Sequence, residues 1–311
     1  MSDTLVFSFI IAHSILSTNT YNKMTHTHQI LFVTGKGGVG KTSTSIMLGL
    51  AQAKRGRKTI IVQTHGAQQI SPFFGLPVCG YIPQEVYPNL FVMSITAAQA
   101  IEEYALQQLK FRKVYEIIFE NRFAKPLIQG APGLHDAVHL GKIYSLADRE
   151  KWPSIIVDAP ATGHALSMLH SARTMMDLTK SGPMYNTNAI VDAVFSDPNR
   201  TSIVLVTLLE ELPVQETLEL WDALEKQHQC RLLVHNKVLT PPPISEHSVP
   251  FEWKRHVDML RTKYQSQQQQ KDILTSISCT QYQVPSIPTM DIDTWSAWGE
   301  KLLRSIQGDQ A

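Results

Sequence analysis

Cysteine is scarce in this chain. Its 311 residues include three, Cys79, Cys230 and Cys279, far apart in the sequence and with no C-x-x-C pair. That argues against a structural zinc site and a disulfide framework, and it leaves no cysteine pair suited to an iron–sulfur cluster at an interface. A cytoplasmic setting is the natural fit. Net charge is equally small: 28 Lys and Arg against 27 Asp and Glu give +1. Bulk electrostatics therefore favour neither nucleic acid nor an anionic membrane as a partner. Apolar runs are short. Residues 5–16 form one of twelve residues, with no basic residue before Lys23. A bilayer helix needs about 20 residues, and a secretory signal needs a basic n-region. We expect residues 1–28 to be an N-terminal extension, non-native or disordered, with translation starting at Met24; a short interfacial anchor is the alternative. No internal repeat is found.

What the chain does have is apolar material for a core, 43% of its residues, and one glycine-rich stretch, ILFVTGKGGVGKTS at 30–43. Residues 30–34 read as a short buried strand. Ile46, Leu48, Leu50, Ala51 and Ala53 then begin a helical pattern. Strand, glycine turn and helix are the context a phosphate-binding loop requires. Gly35, Gly40, Lys41 and Thr42 satisfy G-x-x-x-x-G-K-[ST] without a gap. Glycines tolerate positive φ, so successive N–H groups can turn inward around an anion, and the positive end of the following helix adds to the attraction. The phosphate cradle expected here runs through Gly35, Gly37, Gly38, Val39, Gly40, Lys41, Thr42 and Ser43. Lys41 supplies a point charge to the β and γ phosphates, and the Thr42 hydroxyl a ligand for Mg²⁺.

The rest of the chain alternates strands and helices, which predicts an α/β fold with a mostly parallel sheet flanked by helices. Strands are expected at 59–62, 90–95, 155–158, 202–207, 231–235 and 285–288. A loop is expected at 63–74. Helical periodicity covers 97–123, 135–146, 164–179, 185–195, 213–227, 253–276 and 294–306. Helices at about 97–150 and 164–198 interrupt the alternation and read as an inserted helical subdomain. Its apolar faces serve either core packing or an exposed surface for a partner or apolar client. The amphipathic segment 294–306 reads as a packed final helix, with a membrane-targeting tail as the alternative. Asp158 ends an apolar strand downstream of the phosphate loop, where a Mg²⁺ partner is expected; a helix-capping aspartate is the other reading.

Lys36, just after the first glycine, gives G-K-G-G-V-G-K-T. This variant loop resembles that of the dimeric P-loop ATPases that include MinD, ParA, the nitrogenase iron protein and ArsA. The segment D-A-P-A-T-G-H-A-L-S at 158–167 narrows the resemblance to the second switch of the ArsA family, the arsenite-pump and tail-anchored-protein targeting ATPases. The family's usual form is D-T-A-P-T-G-H-T-L-R, so the proline is shifted by one and Ser167 replaces the arginine. The resemblance implies a homodimer, or a heterodimer with a related ATPase, in which Lys36 stabilises charge on the partner's transferring phosphoryl group. It implies ATP as nucleotide, with Asn236 reading adenine; Leu239 stands where guanine recognition would need an aspartate. It implies a client, apolar or a membrane protein, reached without direct membrane attachment, and switch loops near His65 and at Gly163–His164. The family's water-positioning aspartate of the first switch aligns with His65. A neutral imidazole orients water without a carboxylate's charge, so hydrolysis is expected to be slow or to need a partner. The rival readings are a catalytically weak, nucleotide-gated module forming half of a heterodimer, and a positioning ATPase like MinD or ParA.

Overall fold

The computed structural model describes residues 29–65, 69–109, 133–148, 151–224, 230–240, 251–287 and 291–307. The N-terminal extension, the second half of the helix expected at 97–123 and the proline- and glycine-containing stretch after it lie outside the described residues. Among the described residues, eight strands form one sheet: β1 Gln29–Thr34, β2 Thr59–Gln63, β3 Gln84–Tyr87, β4 Leu90–Ser94, β5 Ser154–Asp158, β6 Thr201–Leu208, β7 Cys230–Val238 and β8 Thr280–Pro285. The spatial order is β3-β4-β2-β5-β1-β6-β7-β8. Only the β3–β4 pair at one edge is antiparallel. The described helices are α1 Lys41–Lys54, the one-turn α2 Ile70–Phe73, α3 Ala97–Leu109, α4 Leu134–Asp148, α5 Thr162–Thr179, α6 Pro183–Ser196, α7 Glu211–Leu224, α8 Phe251–Ile273 and α9 Ile292–Gln307.

The central strands are apolar at nearly every position because both faces are covered. Ile30, Phe32, Ile60, Val62, Ile155, Val157, Ile203 and Leu205 point into the core beneath α4, α5, α6 and α7. Their neighbours Leu31, Val33, Ile61, Ile156, Val204 and Val206 point the other way, onto α1 and α9. Period-2 alternation thus feeds two cores from one set of strands. The result is the α/β fold of the P-loop NTPases, with β1 central and its C-terminal end at the point where strand order reverses, which is where such sheets bind ligands.

Helix α1 is buried along almost its whole length, from Thr44 to Ala53, because it lies between the sheet and α9. Gly56, at φ +76, ends it in the left-handed conformation. Helix α9 is capped by Asp291, whose carboxylate accepts the Thr294 N–H at 2.8 Å. It buries Trp295, Leu302, Leu303 and Ile306. Glu300 holds Arg55 at the end of α1 through two contacts, 2.9 and 2.6 Å. The final helix is therefore part of the core, as the packed reading expects, rather than a free tail. No described helix is long and apolar enough to cross a membrane.

Several elements depart from the sequence reading. The loop expected at 63–74 contains the turn of helix α2. Strand β3 was not expected; it is a half-exposed edge strand with a register shift, which blurs its alternation. The last strand runs up to the first of the prolines instead of lying between them, at Thr280–Pro285. Strand β7 runs on through Asn236 and Lys237, which were expected to follow it.

Candidate functional site

Register builds the site. β1 and β5 pair with Val33 opposite Asp158, and β2 pairs with β5 so that Gln63 also lies opposite Asp158. The first residue of the glycine loop, the strand-end aspartate and the segment leading to His65 therefore leave the sheet at one level. Thr34 ties the two motifs together, its hydroxyl donating to the Pro160 carbonyl at 3.1 Å. Thr64 Oγ1 donates to the Asp158 carbonyl at 3.1 Å.

The loop needs its glycines at the two ends. A Cβ on Gly35, at φ +150, would stand 2.0 Å from the Val206 carbonyl oxygen of β6; on Gly40, at φ +101, it would stand 2.1 Å from Asn236 Nδ2. Around Gly37 and Gly38 nothing lies within 4 Å of such an atom, so the middle of the loop faces open space. The loop's outer wall is thus packed against β6 and β7 while its middle is accessible.

Within this frame Thr42 Oγ1 donates to Asp158 Oδ2 at 2.8 Å. The Asp158 side chain is essentially buried, and its Oδ1 has no hydrogen-bond partner among the described residues. Burial pushes the Asp158 carboxyl up to about 6; the Thr42 hydroxyl and the Lys41 charge pull against it without cancelling it. Ser45, one turn along α1, adds a weak pull in the same direction without reaching hydrogen-bond geometry. A buried carboxylate oxygen with no donor, beside a hydroxyl, is the donor set a magnesium ion takes. The residues present fit that ion.

Lys41 folds back on the loop, its Nζ donating to the Lys36 carbonyl at 3.0 Å. Burial lowers its pKa and Asp158 partly restores it. His65 reaches the same centre. Burial first, and then the Lys41 charge, hold its imidazole below the usual histidine range, while the Asp158 backbone pushes weakly the other way; its Nδ1 is buried and without a partner among the described residues. Val39 is buried, and Ser43 follows Thr42 in the first turn of α1. Gly163 and His164 form the first turn of α5, where His164 N–H donates to the Ala161 carbonyl at 3.0 Å.

Two predicted site residues sit in unexpected company. Lys36 forms an ion pair with Glu216 of α7 in its own chain, Nζ to Oε1 2.7 Å. Asn236 Nδ2 donates to the Val39 carbonyl at 2.8 Å, and its Oδ1 accepts the Lys237 N–H at 2.9 Å. Its amide thus braces the loop from beneath and keeps one N–H and one lone pair for another ligand. Behind it, Gln267 of α8 is buried and its Oε1 accepts the Leu239 N–H at 2.9 Å, which fixes the end of β7. Sequence reasoning missed Glu216 and Gln267. Gln267 lies in a glutamine run that reads as polar surface, and the Glu216 contact exists only because β1 and β6 are neighbours.

A glycine loop leaving the central strand of such a sheet, with a buried acidic strand end beside its threonine, defines the P-loop NTPase class. Residues 28–182 match the ArsA ATPase family, described as anion-transporting ATPases. The ATPase BagA of Mycobacterium tuberculosis is 33% identical over 226 residues, 67% of this chain and 63% of BagA. The ATPase ASNA1 homologs of Cryptosporidium parvum and Entamoeba histolytica are each 27% identical over 246 residues, spanning 68% and 65% of this chain and 65% and 75% of those proteins. The chain belongs to the ArsA-type ATPase family. It spans 63% of the length of BagA.

Proposed function

We propose that this protein binds Mg·ATP and hydrolyses it as a cytoplasmic dimer, using the change of nucleotide state to handle an apolar or membrane-protein client. The observation that carries the reading is the buried Asp158 carboxylate, with one oxygen on Thr42 and the other without a hydrogen-bond partner among the described residues. Thr42 and Asp158 would hold the magnesium ion, which supplies charge neutralisation on the phosphates. Gly35, Gly37, Gly38, Val39, Gly40 and Ser43 present backbone donors, Lys41 leaves the Lys36 carbonyl for the phosphates, and Asn236 offers its remaining donor and acceptor to adenine. His65, kept neutral by burial, orients the attacking water. Helices α3 to α6, packed on one another over one sheet face, form the subdomain that moves and carries the client. Residues 1–28 stand outside this machinery.

Lys36 acts on the partner's nucleotide in this reading, so its pair with Glu216 must open on dimerisation. Both side chains are about one-third exposed, 28% and 34%, and such a pair is worth about 0–1 kcal/mol, little enough for a phosphate to displace. Phosphate release by wild type, Lys36→Ala and His65→Asp tests the proposal. Magnesium-dependent turnover that falls by about 10²-fold or more in Lys36→Ala, with ATP affinity unchanged, supports it. Turnover indifferent to Lys36 contradicts action across the interface. The second reading, a catalytically weak half of a heterodimer, rests on His65 standing where a carboxylate is expected. It is favoured if His65→Asp raises the rate by about 10²-fold or more.

A further inference from the structure

Two of the cysteines that lie far apart in the sequence are neighbours in the fold. Cys230 opens β7 and Cys279 immediately precedes β8. These strands pair in parallel, with Leu232 opposite Thr280; at the start of the pair, Cys230 Sγ lies 4.0 Å from Cys279 Sγ. Both thiols are free. Neighbouring strands lie about 5 Å apart, within the range of Cα separations that a disulfide spans.

The two sulfurs are not equivalent. Cys230 is buried, and its S–H has the Leu232 carbonyl oxygen at 3.7 Å and the Cys279 sulfur at 4.0 Å within reach. Cys279 is partly exposed, and the S–H it receives from Cys230 lowers its pKa against the opposing effect of burial. The same contact, and then burial, push the Cys230 thiol up. Cys279 is therefore the more reachable and more readily ionised sulfur, and Cys230 the one placed to resolve it.

We infer that Cys230 and Cys279 form a reversible oxidative modification site that takes a hydroperoxide as its oxidant. The Cys279 thiolate attacks the peroxide; an S–O bond forms, the O–O bond breaks, and the alcohol or water fragment leaves with a proton. Cys230 then gives up its proton and attacks the Cys279 sulfenic acid; the S–S bond forms, the S–O bond breaks and water leaves. The two sulfurs together lose two electrons to the peroxide, and a dithiol reverses the change by exchange. The cross-link closes a loop holding all of β7 and α8 and fastens β8, an edge strand of the sheet, to β7, its one neighbour among the described strands. It lies at the end of β7 opposite Asn236, so it stiffens this edge without entering the nucleotide loop.

Full-length protein, purified reduced and treated with hydrogen peroxide, tests this. Peptide mapping is expected to find one cross-linked species joining Cys230 to Cys279, with the loss of two hydrogens per chain and reversal by dithiothreitol. Buried Cys79 stays a thiol. Amide exchange in Thr280–Pro285 slows, and Tm rises by at least about 2 °C. In Cys230→Ser the Cys279 sulfenic acid persists and is trapped by dimedone, while in Cys279→Ser Cys230 stays reduced. The inference is overturned if no 230–279 peptide forms, or if Cys279 oxidises to the same products whether or not Cys230 is present. If Cys230→Ser fails to fold, the wild-type peptide map alone decides.

Discussion

At the residue scale, Asp158 carries a heavy electrostatic load. Its carboxyl stands at about 6 against 3.8 for a free aspartate, so holding it ionised inside the fold costs about 3 kcal/mol at pH 7. The sign follows from the direction of the shift. Below the ordinary aspartate value the group is protonated folded and unfolded, and it costs nothing. The cost grows as pH rises towards 6 and is complete above it. Asp158→Asn is therefore expected to stabilise the nucleotide-free protein by up to about 3 kcal/mol at pH 7, with the gain vanishing near pH 4. Urea unfolding at the two pH values checks this. The same variant should lose the magnesium dependence of ATP binding, the usual cost of a site kept strained for function. Gly40 offers a second test. Alanine there would hold φ +101 and drive a Cβ to 2.1 Å from Asn236 Nδ2. We expect Gly40→Ala to lower stability by about 1–3 kcal/mol and to weaken ATP binding, with Asn236→Ala relieving part of the first effect but not the second.

Elements dock on one another here through single small or polar residues. Gly299 lets α9 approach α1 so closely that a Cβ would stand 1.8 Å from the Met47 carbonyl oxygen. Backbone cannot yield as a side-chain tip can, so Gly299→Ala must lift α9 from α1. We expect a loss of about 3 kcal/mol, read as a fall in urea midpoint without a change in slope. Gln267 does for α8 what Gly299 does for α9. Removing its side chain leaves the partly buried Leu239 N–H without that acceptor, which costs up to about 1 kcal/mol, and Gln267→Ala should loosen amide protection at the end of β7 more than elsewhere in the sheet. The sequence told much about these elements and little about their joints. Apolar strands such as Ile155–Val157 and helices with clear periodicity are legible because one local pattern determines them. Edge strands are not: in TQYQVP only Val284 is fully buried and polar residues dominate, so the prolines drew attention away from it. The brace under the loop, the Lys36–Glu216 pair and the Cys230–Cys279 contact all depend on which strands are neighbours, and no local pattern encodes that.

Across the whole molecule, the sheet delivers three chain segments to one level: the loop after β1, Asp158 at the end of β5 and His65 beyond β2. The motifs in the sequence named these segments, and the register explains why they meet. The helical layer α3 to α6 lies on the opposite sheet face from α1, so movement at α5, whose first turn holds Gly163 and His164, can pass to that layer without disturbing the α1–α9 pair. Nucleotide-dependent dimerisation is the matching expectation. Light scattering should give a doubled mass with Mg²⁺ and a non-hydrolysable ATP analogue and a single-chain mass without nucleotide; Lys41→Ala should stay at the single-chain mass in both.

The central claim is that the loop from Gly35 to Thr42, with Asp158 beside it, grips Mg·ATP. Isothermal calorimetry of Mg·ATP on the folded wild type and on Lys41→Ala tests it most directly. The account predicts saturable heat at one site per chain for wild type, weakened at least tenfold in Lys41→Ala and weakened for wild type when Mg²⁺ is chelated. Equal affinity in the two proteins, or no heat with either, would contradict it.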